Sequence, residues 1–196
     1  MENEMDDTAA IDLLESVLGK TGDLIAGVAP GQGGQPTPCP DYDVDALVDH
    51  IVGWVQVFAA RANDEQYEGD ASRYEAGDDP VAEFRAAADR VVAGWRARGF
   101  GRDVALTGDQ PGEARGTFNM TAMEYVTHGW DLATATGQPV PYSDAEAEAV
   151  LGWAEGTLPP KYRGGDMPFG EIVEVPDDAP AIDRMVGFMG RRPRSS

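Results

Sequence analysis

The sequence predicts an all-α fold: a four-helix bundle with one extra helix and an irregular C-terminal tail. Three observations carry this expectation. Apolar residues recur at three- and four-residue steps in five separate segments, the period of one helix face. Helix start and stop residues bracket these segments. No stretch sustains the apolar–polar alternation of period two that a half-buried strand needs.

The first helix is expected from about residue 7 to 28, with Ile11, Leu14, Leu18, Ile25 and Val28 on one stripe. Asp6, Asp7 or Thr8 can cap it, because a short polar side chain there accepts from an otherwise unpaired helical N–H. Residues 30–42, PGQGGQPTPCPDY, carry too much Pro and Gly for a helix and form a long connection. The second helix runs from about residue 44 to 63 behind Asp43 as N-cap, with Leu47, Ile51, Trp54 and Phe58 as its buried stripe. A polar loop over 64–79 follows. Pro80 then opens the third helix, in the position where its missing N–H costs nothing. Val81, Phe84, Ala88, Val91 and Trp95 make the stripe of that helix, and Gly99 ends it.

Residues 101–118 read as a loop with a short extended piece at DVALT, 103–107. The fourth helix is expected from about residue 119 to 136, stopped by Gly137 and Pro139. The fifth begins at Ser143, where Ser143 and Glu146 have capping-box spacing, and ends near Leu158 before Pro159 and Pro160. The tail is rich in Gly, Pro and Asp, with one short helix over about 181–189. Residues 1–160 therefore form the bundle, and 161–196 form an extension that is not an independent domain. Long loops after the first three helices favour a crossover bundle over simple hairpins.

Composition narrows the function. A chain of 196 residues suits one domain with a core that needs no staples. Its 35 acidic against 15 basic side chains give a formal net charge of -20, which repels phosphates and anionic lipid headgroups. Neither nucleic acid nor a membrane is therefore an expected partner. Cys39 is the single cysteine, so no internal disulfide forms, and a reducing cytoplasmic setting is expected. The opening MENEMDD is acidic, unlike a secretory leader. The most apolar stretch, LVDHIVGWVQVFAA, is interrupted by Asp49, His50 and Gln56 and falls short of the roughly 20 apolar residues of a membrane span.

The chemistry concentrates in the two histidines, His50 and His128. His50 stands one turn from both Leu47 and Trp54, at the edge of the apolar stripe of the second helix. Glu124 and His128 are four residues apart, so their side chains share a helix face and can grip one cation. A carboxylate and an imidazole beside Met123, Val126 and Trp130 are costly to bury without a partner, and a cation supplies one. Two nitrogens and one carboxylate oxygen form a catalytic zinc set with a fourth position open. Nickel and iron also suit these ligands.

Blander readings stay open at this point. A helical histidine is most often structural. Thr121 and Glu124 have capping-box spacing, which would put Glu124 at a solvent-facing helix start. Glu124 and His128 also make a plain surface ion pair, worth only about 0.3–0.5 kcal/mol. Asp131, three residues after His128, is either a catalytic group that orients a ligand or water, or a capping or solvated Asp. Cys39, between two prolines, reads as structural rather than nucleophilic. The four tryptophans read as core or pocket wall. Arg163 and Arg184 are available to an anionic substrate, but no spacing selects them.

Two stretches, TPCPDYDVDALVDHIVGW and MEYVTHGWDLATATGQP, resemble the DinB-like superfamily, and within it the actinobacterial branch related to mycothiol-dependent maleylpyruvate isomerase. The TPCP segment, the Asp49-His50 pair and the ExxxHGWDLA run starting at Glu124 carry the resemblance, which spans roughly residues 8–158. It implies a DinB/YfiT-like four-helix bundle that holds a divalent metal through His50, Glu124 and His128. It also implies a small-molecule thiol, mycothiol, bound as thiolate, and an electrophilic substrate that the sulfur attacks, either to transfer the thiol or to isomerise a double bond by addition and elimination. The chain departs from those isomerases after the bundle, where they carry a sizeable second domain and this sequence has about 40 Gly- and Pro-rich residues. The expected function is a metal- and thiol-dependent transferase or isomerase. The alternatives are a metal-dependent hydrolase and a non-enzymatic metal- or ligand-binding bundle. Bundles of this type often pair, so a homodimer is admitted, although no interface signature is legible.

Overall fold

The computed structural model describes residues 5–105, 111–164 and 169–193. Helix α1 spans Asp7–Ala26 and α2 spans Val44–Ala62. Helix α3 spans Pro80–Arg98 and follows a single 3-10 turn at Ala71–Arg73. Strands β1, Asp103–Ala105, and β2, Pro111–Glu113, pair antiparallel with Val104 opposite Gly112. Helices α4, Ala114–Thr136, α5, Asp144–Thr157, and α6, Ala181–Phe188, follow, with a second 3-10 turn at Pro160–Tyr162 between α5 and α6. The protein is an all-α bundle, and among the described residues no helix is long and apolar enough to cross a membrane.

The helix starts follow local chemistry. Asp6 Oδ1 accepts from Ala9 N at 2.9 Å, Asp43 Oδ1 from Ala46 N at 2.9 Å, and Asp79 Oδ1 from Ala82 N at 2.9 Å, each satisfying an orphan donor of a first turn. Ser143 and Glu146 form the reciprocal capping box. At the far ends, Gly99 and Gly137 carry positive φ, 61° and 72°, where a Cβ would be strained.

Helix α4 departs from the expectation: it begins at Ala114, not near Asn119. Glu113, ahead of it, makes no side-chain cap bond. Tertiary contacts take the place of a cap. Ala114 N donates to Arg102 O at 3.2 Å, and the Thr117 hydroxyl donates to Ala105 O at 3.1 Å. The two-stranded hairpin thus pins the first turn of α4. The expected extended piece at DVALT supplies β1; Leu106 and Thr107 of that piece lie outside the described residues.

Helix α1 packs on α3 and α4, α2 on α3 and α4, α4 on α5, and α6 on both α5 and α4. Leu14, Leu18, Leu47, Ile51, Phe84, Trp95, Phe118 and Tyr125 fill the common core. Polar ties cross it at fixed points. Glu146 on α5 accepts from Lys20 Nζ at 2.7 and 2.5 Å and from the Ser16 hydroxyl at 2.6 Å, both on α1. The Tyr142 hydroxyl donates to Tyr125 O at 2.8 Å, and a Cβ at Gly129 would run into that hydroxyl. Gly129 therefore lets the α4–α5 connection lie close against α4.

Candidate metal centre

The site forms where α2 crosses α4. On α2, Leu47 and Ile51 are fully buried, while His50, on the adjoining edge of the same stripe, is half-buried. On α4, the surroundings are almost wholly buried: Met123, Val126 and Thr127 pack inward around Glu124 and His128. His50 Nε2 lies 2.7 Å from Glu124 Oε1, and His128 Nε2 lies 3.4 Å from the same oxygen. The two imidazole rings stand 4.8 Å apart, centre to centre. The structure therefore brings together His50, Glu124 and His128, with one donor atom from each within 4.8 Å of the others.

The donor set fits a small divalent cation. Tetrahedral coordination at about 2.0–2.1 Å separates ligand atoms by roughly 3.3 Å. The His128–Glu124 distance of 3.4 Å already matches this edge, and the 2.7 Å His50–Glu124 contact opens to it with a side-chain adjustment of under an ångström. The carboxylate is ready for the role. Burial alone would raise the Glu124 carboxyl, but the charge of His128 and the hydrogen bond from His50 override it and hold the pKa at about 2.

Two further residues come from the connection ahead of α2. The Thr37 hydroxyl bridges the carbonyls of Cys39 and Tyr42 at 2.9 and 2.8 Å and folds that loop against the site. The Tyr42 ring lies 4.6 Å from the His50 ring and 6.2 Å from that of His128. Trp54, one turn beyond His50, lies 6.2 Å from it, so two aromatic rings neighbour this imidazole. Burial pushes the Tyr42 hydroxyl up, with the neighbouring Cys39 and Glu124 adding to it. Cys39 is itself buried, and burial pushes its thiol up.

Asp131 is neither a cap nor solvated. It is fully buried, and its Oδ2 lies 3.1 Å from His128 Nδ1. Arg191, beyond α6, donates to it from Nη2 at 2.8 Å and from Nε at 3.2 Å. Cys39, His128 and Asp131 form a second group whose donor atoms lie within 4.8 Å of one another.

The other singled-out residues lie elsewhere. Glu124 lies well inside α4, far from a helix start, because α4 begins at Ala114; the capping-box alternative with Thr121 fails for that reason. Arg163 is spent on the carbonyls of Phe188, at 2.7 Å, and Gly170, at 3.3 Å. Arg184 pairs with Glu148 and donates to Ala179 O at 3.3 Å. Trp95 and Trp130 are buried, Trp153 packs on the core, and Trp54 is the tryptophan at the site. Sequence reasoning missed Arg191 and gave Tyr42 no role. Tyr42 sits within the TPCPDYD stretch and was findable by its nearness to the second helix. No spacing pointed to Arg191.

Comparison with known proteins agrees with this picture. The family described as the mycothiol maleylpyruvate isomerase N-terminal domain matches residues 14–133, a range that contains His50, Glu124, His128 and Asp131. Two uncharacterised Mycobacterium tuberculosis proteins are similar: MT0763 of strain CDC 1551 / Oshkosh and Rv0738 of strain ATCC 25618 / H37Rv, each 30% identical over 177 residues, covering 87% of this chain and 91% of the relative. No solved structure gives a significant match. A helical bundle, a match over well over half the chain and relatives aligned along nearly their full length place the chain in the mycothiol maleylpyruvate isomerase N-terminal domain family.

Proposed function

We propose that His50, Glu124 and His128 hold one divalent cation, zinc before nickel or iron, and that the protein is a mycothiol-dependent transferase or isomerase acting on a small electrophile. The observation that carries this reading is the convergence of two imidazole Nε2 atoms on one ionised carboxylate oxygen at the α2–α4 crossing. Three protein donors leave room for one exogenous ligand. When bound, the cation supplies charge that lowers the pKa of a thiol in that position, so that thiolate is available at neutral pH.

The chain's own residues do the rest. Glu124 provides the negative charge that draws the cation into an otherwise apolar wall. Asp131 accepts from His128 Nδ1, which leaves Nε2 of that ring facing Glu124. The apolar rings of Tyr42 and Trp54, both near His50, would limit water there, and electrostatic interactions gain strength where water is scarce. The partial exposure of the His50 and Glu124 side chains, 14% and 16%, gives a small molecule access without a domain opening. This chemistry belongs in the cytoplasm, where low-molecular-weight thiols stay reduced. A homodimer is compatible with it and is not required by it.

Cobalt-substituted protein titrated with mycothiol tests the reading. A thiolate-to-cobalt charge-transfer band that saturates at one thiol per site is expected. Bound cobalt whose spectrum ignores the thiol would overturn the thiol-dependent reading and leave a hydrolytic one in its place.

A further inference from the structure

We propose that Arg191 is a positioning residue of this metal centre: its guanidinium anchors Asp131, and Asp131 in turn fixes the His128 ring with Nε2 toward Glu124 and His50. The inference rests on the proposed ligand set and extends it to a residue that lies 60 positions further along the chain than Asp131.

Four observations point to this role. Arg191 meets both carboxylate oxygens of Asp131, Nη2 donating to Oδ2 at 2.8 Å and Nε to Oδ1 at 3.3 Å, the planar fork that binds a carboxylate in one orientation. The fork is itself held, because Arg191 Nη1 donates to Met189 O at 3.0 Å. The backbone delivers it: after α6 the chain turns at Gly190, whose φ of 84° favours glycine, and Arg191 N closes onto Val186 O at 2.9 Å. Asp131 has no exposure at all, so without the guanidinium its charge would be buried unpaired. A carboxylate paired in this way only accepts, so the proton between it and His128 belongs on Nδ1.

Arg191 also settles which of the two donor groups takes the cation. Cys39, His128 and Asp131 share His128 with the other set. A cation among them would need the carboxylate that the guanidinium already occupies, and it would sit against a fixed positive charge. Arg191 thus fills the second cluster with a built-in cation and reserves His128 for His50 and Glu124. On this account the segment carrying α6 is part of the centre, although it contributes no ligand.

Zinc affinity, measured by competition with a chromophoric chelator, and thermal unfolding of the metal-free protein test this together. Arg191→Met is expected to weaken zinc about 10–100-fold, the usual effect of losing a partner behind a ligand, and to alter the visible spectrum of the cobalt form. Arg191→Lys, which keeps a cation beside Asp131, is expected to recover most of the affinity. The double variant Asp131→Leu with Arg191→Met leaves no charge stranded, so it is expected to unfold near the wild-type temperature and still to bind zinc weakly. A double variant that binds zinc as tightly as the wild type would overturn the inference, and so would an Arg191→Met protein that is less stable but unchanged in affinity. In both cases the ligand set would stand. Wild-type protein that takes up no zinc would overturn the ligand set, and this inference with it.

Discussion

Glu124 is the residue on which the site turns, because both histidines address the same oxygen of its carboxylate. On the proposed reading its charge, rather than its bulk, draws the cation into an apolar wall. Glu124→Gln keeps the shape and removes the charge. Zinc affinity in that variant is expected to fall by about 100-fold or more, beyond the loss typical of residues behind a ligand, with the far-ultraviolet circular dichroism unchanged. A chelator competition assay reads the outcome. At this scale much was legible in the sequence. The four-residue spacing of Glu124 and His128 places both on one face of any helix, whatever the tertiary fold. His50 was legible because it borders the Leu47–Ile51 stripe. Arg191 was not, because it follows a glycine turn outside any periodic segment, and only the packing of α6 brings it to Asp131.

Elements carry the next level of information. Starts set by a local polar side chain, Asp6, Asp43, Asp79 and Ser143, were readable, since cap and helix are adjacent in sequence. The start of α4 was not, because its support comes from Arg102 and Ala105 across a hairpin. Cross-helix ties likewise lie beyond local reading, and Glu146 shows how much they matter. Periodicity reveals it only as the capping-box partner of Ser143, whereas the fold also gives it Lys20 and Ser16 of α1. Burial would raise the Glu146 carboxyl, yet the bonds from Lys20 and Ser16 bring it from 4.5 to about 2. A carboxyl held lower in the folded than in the unfolded chain contributes fully above the unfolded value and loses that contribution as pH falls toward the folded one. Wild-type protein is therefore expected to lose stability, on the order of 3 kcal/mol at most from this group, between about pH 4.5 and 2. Denaturant unfolding of Glu146→Gln should be weaker than wild type at pH 7 and should converge on it near pH 2. A stability difference that stays constant across that window would contradict the assignment.

At the scale of the molecule, a net charge of -20 surrounds the site proposed to hold a positive ion. Composition alone argues against polyanionic partners, an expectation that charge can set without knowledge of the fold. The all-α architecture followed from helical periodicity in separate segments, but the meeting of α2 with α4 is a property of the whole bundle that no single segment displays. The central claim, one cation at that meeting point, is most directly tested by calorimetric titration of chelator-treated protein with zinc. The wild type is expected to take up one equivalent, whereas protein carrying both His50→Ala and His128→Ala takes up none while remaining helical. Wild-type protein that binds no zinc, or a double variant that retains the full equivalent, would contradict the account.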